Sequence, residues 1–268
     1  MANLALVTGA SQGLGYELAR CHAAQGGDLV ITARDQARLD EVKAEIEKSS
    51  GVRVTAIAQD LSLPGSAQTL YLKIRAQGLK VETLINNAGA GCDGSFADQP
   101  LDDDLALLTL NIMALTVLTK LFLKDMLSGN GGRILNVSSI ASLLPGPYMG
   151  IYYASKAYVT SFTKALWQET HGSKVSVTAL LPGPMATGFV KASRLQHSAV
   201  ASWFTARPEA VARAGYRAML RGRRCVIAGT PWWLTLLLLV QPLCPERLVL
   251  WIMELLQRKK LPQEPQRP

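Results

Sequence analysis

Apolar residues along the chain fall into short continuous runs separated by longer stretches in which they recur every three or four positions. Runs at residues 4–8, 28–33, 53–59, 83–86, 132–138, 174–181 and 224–228 are β-branched or aliphatic without alternation. That is the pattern of strands covered on both faces. Residues 14–25, 36–49, 65–77, 101–127, 150–171 and 208–220 carry helical periodicity. Repeated strand–helix–strand units imply crossovers, and hence a doubly wound α/β fold with a parallel sheet of about seven strands. Residues 1–230 are expected to form one domain. The chain enters its first strand almost at once, without a basic segment leading into a long apolar run, so no targeting signal is expected.

Residues 231–268 break the pattern and read as an apolar and basic C-terminal helical extension. The run from Pro231 to Val240 is strongly apolar, Pro242 and Pro245 interrupt it, and a second apolar stretch ends in Gln-Arg-Lys-Lys at Lys260. The first run is shorter than the ~20 residues a membrane-spanning helix needs. Continuing it through Pro242, Pro245, Glu246 and Arg247 would carry charge into lipid. Three readings stay open: an oligomer interface or extra core layer, a monotopic contact of residues 231–260 with a membrane surface, or a lid over an apolar pocket. Residues 261–268 are expected to be a disordered end.

Composition narrows the function classes. The chain has 268 residues, 49% of them hydrophobic and 18% charged, which places it among globular proteins able to bury a sizeable core. Cys21, Cys92, Cys225 and Cys244 lie far apart without ligand spacing. They are expected to be reduced thiols, with no metal site and a cytoplasmic, possibly membrane-associated, location. Of the net charge of +8, residues 217–268 hold +6. No nucleic-acid-binding motif accompanies it, so no nucleic-acid partner is expected.

The first strand runs into Thr8-Gly9-Ala10-Ser11-Gln12-Gly13-Leu14-Gly15, which opens a helix. Glycines there let the backbone approach a pyrophosphate, and the helix N-terminus offers unpaired N–H groups. Gly9, Ser11, Gln12, Gly13, Leu14 and Gly15 are therefore candidate cofactor contacts in a Rossmann-type dinucleotide site. The second strand ends at Arg34. An Arg at that point accommodates the 2′-phosphate of NADP, whereas an acidic residue binds the ribose of NAD. Asp35 follows one step later and is expected to face away. NADP(H) is the expected cofactor, with NAD(H) possible.

Tyr152 and Lys156 stand four apart on a helix and so share a face. A neighbouring ammonium is expected to lower the tyrosine pKa toward the range of acid–base work. Ser139 follows the strand at 132–138 and is placed to reach a substrate carbonyl. His22, His171 and His197 show no catalytic pairing.

Together these residues resemble the classical short-chain dehydrogenase/reductase family over about residues 3–228. The glycine segment is similar to its cofactor motif, and Asn86-Asn87-Ala88-Gly89 to the segment after its fourth strand. Asp60-Leu61 resembles the pair beside the adenine, and Pro182-Gly183 through Thr187 the stretch at the nicotinamide end. Asn111, Ser139, Tyr152 and Lys156 match the family's catalytic tetrad. The resemblance implies an oxidoreductase in which hydride passes between nicotinamide and a carbonyl carbon while Tyr152 handles the proton. It assigns Lys156 to the tyrosine and the cofactor ribose, Ser139 to the oxyanion, and Asn111 to a water relay at a helix irregularity. It also implies a homo-oligomer, dimer or tetramer.

Two features depart from the family's pattern. Gln12 stands where NADP-preferring members often have Arg or Lys, and the tail is longer and more apolar than the family minimum. Substrate selection falls to the segments 90–97, 143–150 and 184–207. They contribute Phe96, Leu143, Leu144, Tyr148, Met149, Met185, Phe189, Trp203 and Phe204. A small hydrophobic carbonyl or alcohol is the expected substrate. A membrane-surface reductase of lipid or acyl ketones is one alternative. A non-catalytic cofactor-binding regulatory protein is another, but such a protein should have lost Tyr152, Lys156 or Ser139.

Overall fold

The computed structural model describes residues 3–185 and 205–258. Thr187, Phe189, Trp203, Phe204 and the 261–268 end lie outside the described residues. Seven strands, β1 (Ala5–Thr8), β2 (Leu29–Ala33), β3 (Val54–Ala58), β4 (Thr83–Asn86), β5 (Gly132–Val137), β6 (Val175–Pro182) and β7 (Cys225–Ala228), form one sheet in the order 3-2-1-4-5-6-7. Every pairing is parallel.

Successive side chains of a strand point to opposite faces, so each strand supplies two cores. Val7, Ile31, Leu135 and Leu180 pack on one side with α1 (Gly13–Ala23), α2 (Gln36–Ser50) and α7 (Pro208–Leu220). Leu6, Val30, Leu84, Ile134 and Val177 pack on the other with α3 (Ser66–Ala76), α5 (Leu115–Ser128) and α6 (Gly150–Glu169). The edge strands β3 and β7 are only partly covered. Neutral, buried His22 ties α1 to α7 by accepting from the Tyr216 hydroxyl at Nδ1 (2.9 Å) and donates from Nε2 to the Asn3 carbonyl (2.8 Å), with burial lowering its pKa.

The helix expected at 101–127 is interrupted. It comprises α4 (Leu101–Leu108), a π-helical turn over Thr109–Ala114, and α5. Leu101–Ser128 is long and apolar enough to cross a membrane by length and composition alone. Its Leu118, Phe122 and Met126, however, are buried against the sheet. The extension forms α8 (Trp232–Val240) and α9 (Glu246–Arg258), joined through the proline-containing turn at Gln241–Leu243.

Phe122 is almost fully buried and stacks edge-on against Tyr71 at 5.1 Å. Phe122→Ala is expected to lower unfolding free energy by about 3–5 kcal/mol. Urea denaturation measures this, and a loss below about 1 kcal/mol would contradict the packing described.

Candidate active site

The parallel order places β1 beside β4, and their following loops diverge at the carboxyl ends, where open α/β sheets bind ligands. Thr8 fixes this crevice. Its hydroxyl accepts from the Asn87 and Ala88 amides at 3.0 and 2.9 Å, while Asn87 Nδ2 donates to the Thr8 and Gly9 carbonyls at 2.9 and 3.2 Å. The glycine loop presses on the same point. A Cβ at Gly15 would lie 2.2 Å from the Gly9 carbonyl oxygen and 2.4 Å from Asn87 Nδ2. Gln12, at the start of α1, makes no side-chain cap, so the first amides of that helix are left to face the crevice.

A cavity of 880 Å³ runs from this loop across the carboxyl edge of the sheet. Gly9, Ser11, Gln12, Gly13, Leu14, Gly15, Arg34, Asp60, Leu61, Asn87, Ala88, Gly89, Pro182 and Gly183 all line it, as do Ser139, Tyr152 and Lys156. Thr187 lies outside the described residues. The glycine cradle, the uncapped helix start and the two arginines at the rim fit a dinucleotide in their chemistry. Asp60 is turned inward on its own loop, accepting from the Ser62 amide (2.9 Å) and hydroxyl (2.6 Å).

Arg34 is exposed on the rim, and the structure adds a second cation there. Arg38 Nε donates to the Ser11 carbonyl at 3.2 Å, and its guanidinium pairs with Glu41. The sequence reading missed Arg38, although its spacing of four from Arg34 across the start of α2 was a usable signal. Asp35 does not face away. It lies on the rim, with its carboxylate capping α2 by accepting from the Arg38 amide at 3.1 Å.

Four elements converge on the proposed chemistry. Ser139 lies two residues past β5 and caps the 3₁₀ turn Ile140–Leu143, its hydroxyl accepting from the Ala141 amide at 3.1 Å while also bonding Tyr152. Lys156 is buried one turn along α6 from Tyr152, 5.9 Å from the ring centroid, and its Nζ donates to the Val137 carbonyl at 3.2 Å. Ser138 anchors that turn by donating to the Lys156 carbonyl at 2.8 Å. Asn111 sits in the π turn, behind the cavity wall. Its side chain exchanges two 2.9 Å bonds with the Ala90 backbone and donates to Ser155 Oγ at 3.0 Å. Ser155 in turn donates to the Tyr152 carbonyl at 2.7 Å. A Cβ at Gly89 would stand 3.2 Å from both Asn111 Oδ1 and Lys156 Nζ, so Gly89 keeps the space between them open.

The electrostatics correct one expectation. Burial pushes the Tyr152 phenol above its ordinary pKa, with the Ser139 hydrogen bond acting the other way. The net direction is up, because losing water outweighs the help a phenolate receives. Burial likewise pulls Lys156 from 10.5 down to about 8.

Among the expected substrate-side residues, Leu144, Met149 and Met185 line the cavity. Phe96 does not: its short 3₁₀ turn leaves it 74% exposed. Leu143 and Tyr148 also stand off the wall, and Phe189, Trp203 and Phe204 lie outside the described residues. The wall is completed instead by Leu234, Leu238, Val249 and Met253 of α8 and α9. Gln257 Nε2 ties α9 to the site helix by donating to Tyr153 Oη at 3.1 Å. Of the readings open for the tail, a cavity wall formed by α8 and α9 is the geometry a lid requires, and it leaves the outer face of the two helices uncommitted.

Folding disfavours the charged form of Lys156, so its stabilising contribution is present above pH ~10.4 and lost as pH falls through about 8. Without added cofactor, Lys156→Met should therefore be more stable than the wild type at neutral pH. The difference should shift by about 3 kcal/mol toward the wild type by about pH 10. Chemical denaturation across that range checks it, and a pH-independent difference would contradict it.

Comparisons with known proteins agree with this architecture. The short chain dehydrogenase family profile matches residues 3–198. The chain is 35% identical over 196 residues to a very-long-chain 3-oxoacyl-CoA reductase of Anas platyrhynchos, covering 71% of this chain and 62% of that protein's length. It is 32% identical to the ketoacyl reductase HetN of a Nostoc species, over 80% of this chain and 74% of the relative. A short-chain dehydrogenase from Sphingobium yanoikuyae, solved in complex with NADPH, superposes with a TM-score of 0.79 at 30% identity, covering 90% of this chain and 94% of the other. With the seven-stranded parallel sheet, the glycine cradle and the Ser139–Tyr152–Lys156 cluster on one cavity, the chain belongs to the classical short-chain dehydrogenase/reductase family of oxidoreductases.

Proposed function

We propose that this protein is an NADP(H)-dependent reductase of a ketone or aldehyde carried on a hydrophobic molecule, with 3-oxoacyl chains the first substrates to test. The observation that carries this reading is one continuous cavity. It holds the glycine cradle with Arg34 and Arg38 at one end, Ser139 and Tyr152 at its middle, and an apolar wall beyond them. Arg34 and Arg38 support a 2′-phosphate, and the use of Asp35 as a helix cap supports NADP(H) over NAD(H). Leu144, Met149, Leu238 and Met253 support an apolar substrate body, and relatives named 3-oxoacyl-CoA and ketoacyl reductases support the acyl class.

A bound nicotinamide dinucleotide supplies the hydride. The raised pKa keeps Tyr152 protonated at neutral pH, which is the state a proton donor to the substrate oxygen needs. Ser139 Oγ donates to the same oxygen as negative charge develops there, a contribution of a few kcal/mol in comparable sites. Once Tyr152 has given up its proton, the Lys156 ammonium and the Ser139 hydroxyl stabilise the phenolate. Asn111, held by Ala90 and Ser155, faces Lys156 across the space at Gly89, where a bridging water would return protons to Nζ. The same steps reversed oxidise an alcohol, and the raised tyrosine pKa makes that direction the one favoured by alkaline pH. Leu101, Leu105, Met113 and Leu127 of the long helix, with Tyr158 of α6, leave an exposed apolar face that a second copy would cover in a homo-oligomer.

Turnover of NADPH with a panel of hydrophobic ketones tests the reading. Tyr152→Phe should keep NADPH affinity within about twofold and lower kcat by about 10² or more, the usual contribution of a positioned acid. Undiminished turnover in that variant, or no turnover of any hydrophobic carbonyl by the wild type, would overturn it.

A further inference from the structure

The helices that close the cavity are apolar on both sides. Leu234, Leu238, Val249 and Met253 face the pocket, while Trp232, Leu243 and Trp251 on the outer side are 78%, 87% and 60% exposed. Leu237, Leu248 and Ile252 both line the cavity and stand exposed, so the mouth opens between α8 and α9. We infer that the outer face of α8 and α9 docks in the interfacial plane of an anionic bilayer, and that the pocket opens there to take a membrane-partitioned carbonyl compound. The entry part of this inference rests on the reductase reading above; the docking part does not.

Length decides between lying on the bilayer and crossing it. With 9 and 13 residues, α8 and α9 are about 14 and 20 Å long, against a hydrocarbon core of about 30 Å. The turn between them carries Pro242 and Pro245 and leads into Glu246 and Arg247, which keeps it at the water side. Three of the chain's five tryptophans lie on this element, and tryptophan is enriched where lipid meets water. Charge points to the lipid class. In sequence, residues 231–260 hold Glu246 and Glu254 against Arg247, Arg258, Lys259 and Lys260, a net +2 on the stretch that also supplies the apolar helices, and basic residues in an amphipathic segment attract anionic headgroups. A second copy seated on the same face would cover the mouth at Leu237, Leu248 and Ile252, whereas a bilayer supplies apolar substrate to it.

The bond from Gln257 to Tyr153 ties the lid to the site helix, and the Tyr153 ring stands edge-on to that of Tyr152 at 6.0 Å. Docking therefore sets α9 at a fixed place relative to the site helix while substrate enters between the two lid helices.

The full chain is mixed with vesicles of phosphatidylcholine alone and with vesicles rich in phosphatidylglycerol, and the bound fraction is read by flotation. The wild type should float with the anionic vesicles, with affinity about tenfold above that for the zwitterionic ones. The triple variant W232S/L243S/W251S changes no cavity-lining residue. It should lose at least about tenfold in vesicle affinity while keeping its thermal midpoint, its NADPH affinity and its turnover of a water-soluble ketone. Turnover of a long-chain 3-oxo ester presented in the vesicles should fall with the docking. Failure of the wild type to float, or equal flotation of the triple variant, would overturn the docking. Wild-type oligomers that the triple variant disperses, with no vesicle binding by either, would assign the face to a second copy and overturn it equally. If the wild type floats but reduces neither ketone, the reductase reading fails, the entry part falls with it, and the docking stands.

Discussion

Lys156 carries an ammonium that the fold buries at the wall of the cavity, and much of the site is arranged around keeping it there. The carbonyl of Val137, at the end of β5, is its acceptor at 3.2 Å, and Ser138, next along the chain, holds the Lys156 carbonyl. The central sheet thereby fixes the height of the ammonium relative to Tyr152. Gly89 must lack a side chain for Lys156 and Asn111 to face the same space, and Asn111 is presented there because its helix widens into a π turn. A charge kept in such surroundings costs the free protein stability, which is why burial lowers the Lys156 pKa, and in the proposed reaction negative charge developing on Tyr152 would offset that cost.

The strand order gives the second constraint. Because β1 and β4 are neighbours whose chains continue to opposite sides, one residue at the end of β1 can brace both loops. Thr8 does so with its hydroxyl, and the close approach of Gly15 to Gly9 and Asn87 leaves no room for error in the loop. The glycine cradle and the Ser139–Tyr152–Lys156 cluster thus lie at two parts of one cavity along this edge, and the lid helices complete the wall that neither provides.

Much of this was legible in the residues. The strands were plain because buried parallel strands are continuously apolar, and the glycine loop, Tyr152 and Lys156 lie at diagnostic spacings. The π turn was anticipated only through the family resemblance that put Asn111 at a helix irregularity, since Thr109–Ala114 contains neither Gly nor Pro and keeps helical composition throughout. Asn111 was found by its resemblance to a family motif, whereas its partner Ser155, 44 residues away in sequence, had no local signal. The direction of the Tyr152 shift was misjudged because spacing reveals the neighbour and not the depth of burial. Phe96 was misassigned because a 3₁₀ turn of three residues aims it outward, and the lid remained ambiguous because α8 is apolar all round.

The proposed function rests on the binding of a nicotinamide dinucleotide carrying a 2′-phosphate at one end of the cavity. Calorimetric titration of the full chain with NADPH and with NADH tests it most directly. The account predicts saturable binding of both, with NADPH tighter by at least about tenfold, or roughly 1.4 kcal/mol. Tighter binding of NADH would contradict the roles given to Arg34 and Arg38, and no binding of either would contradict the site itself.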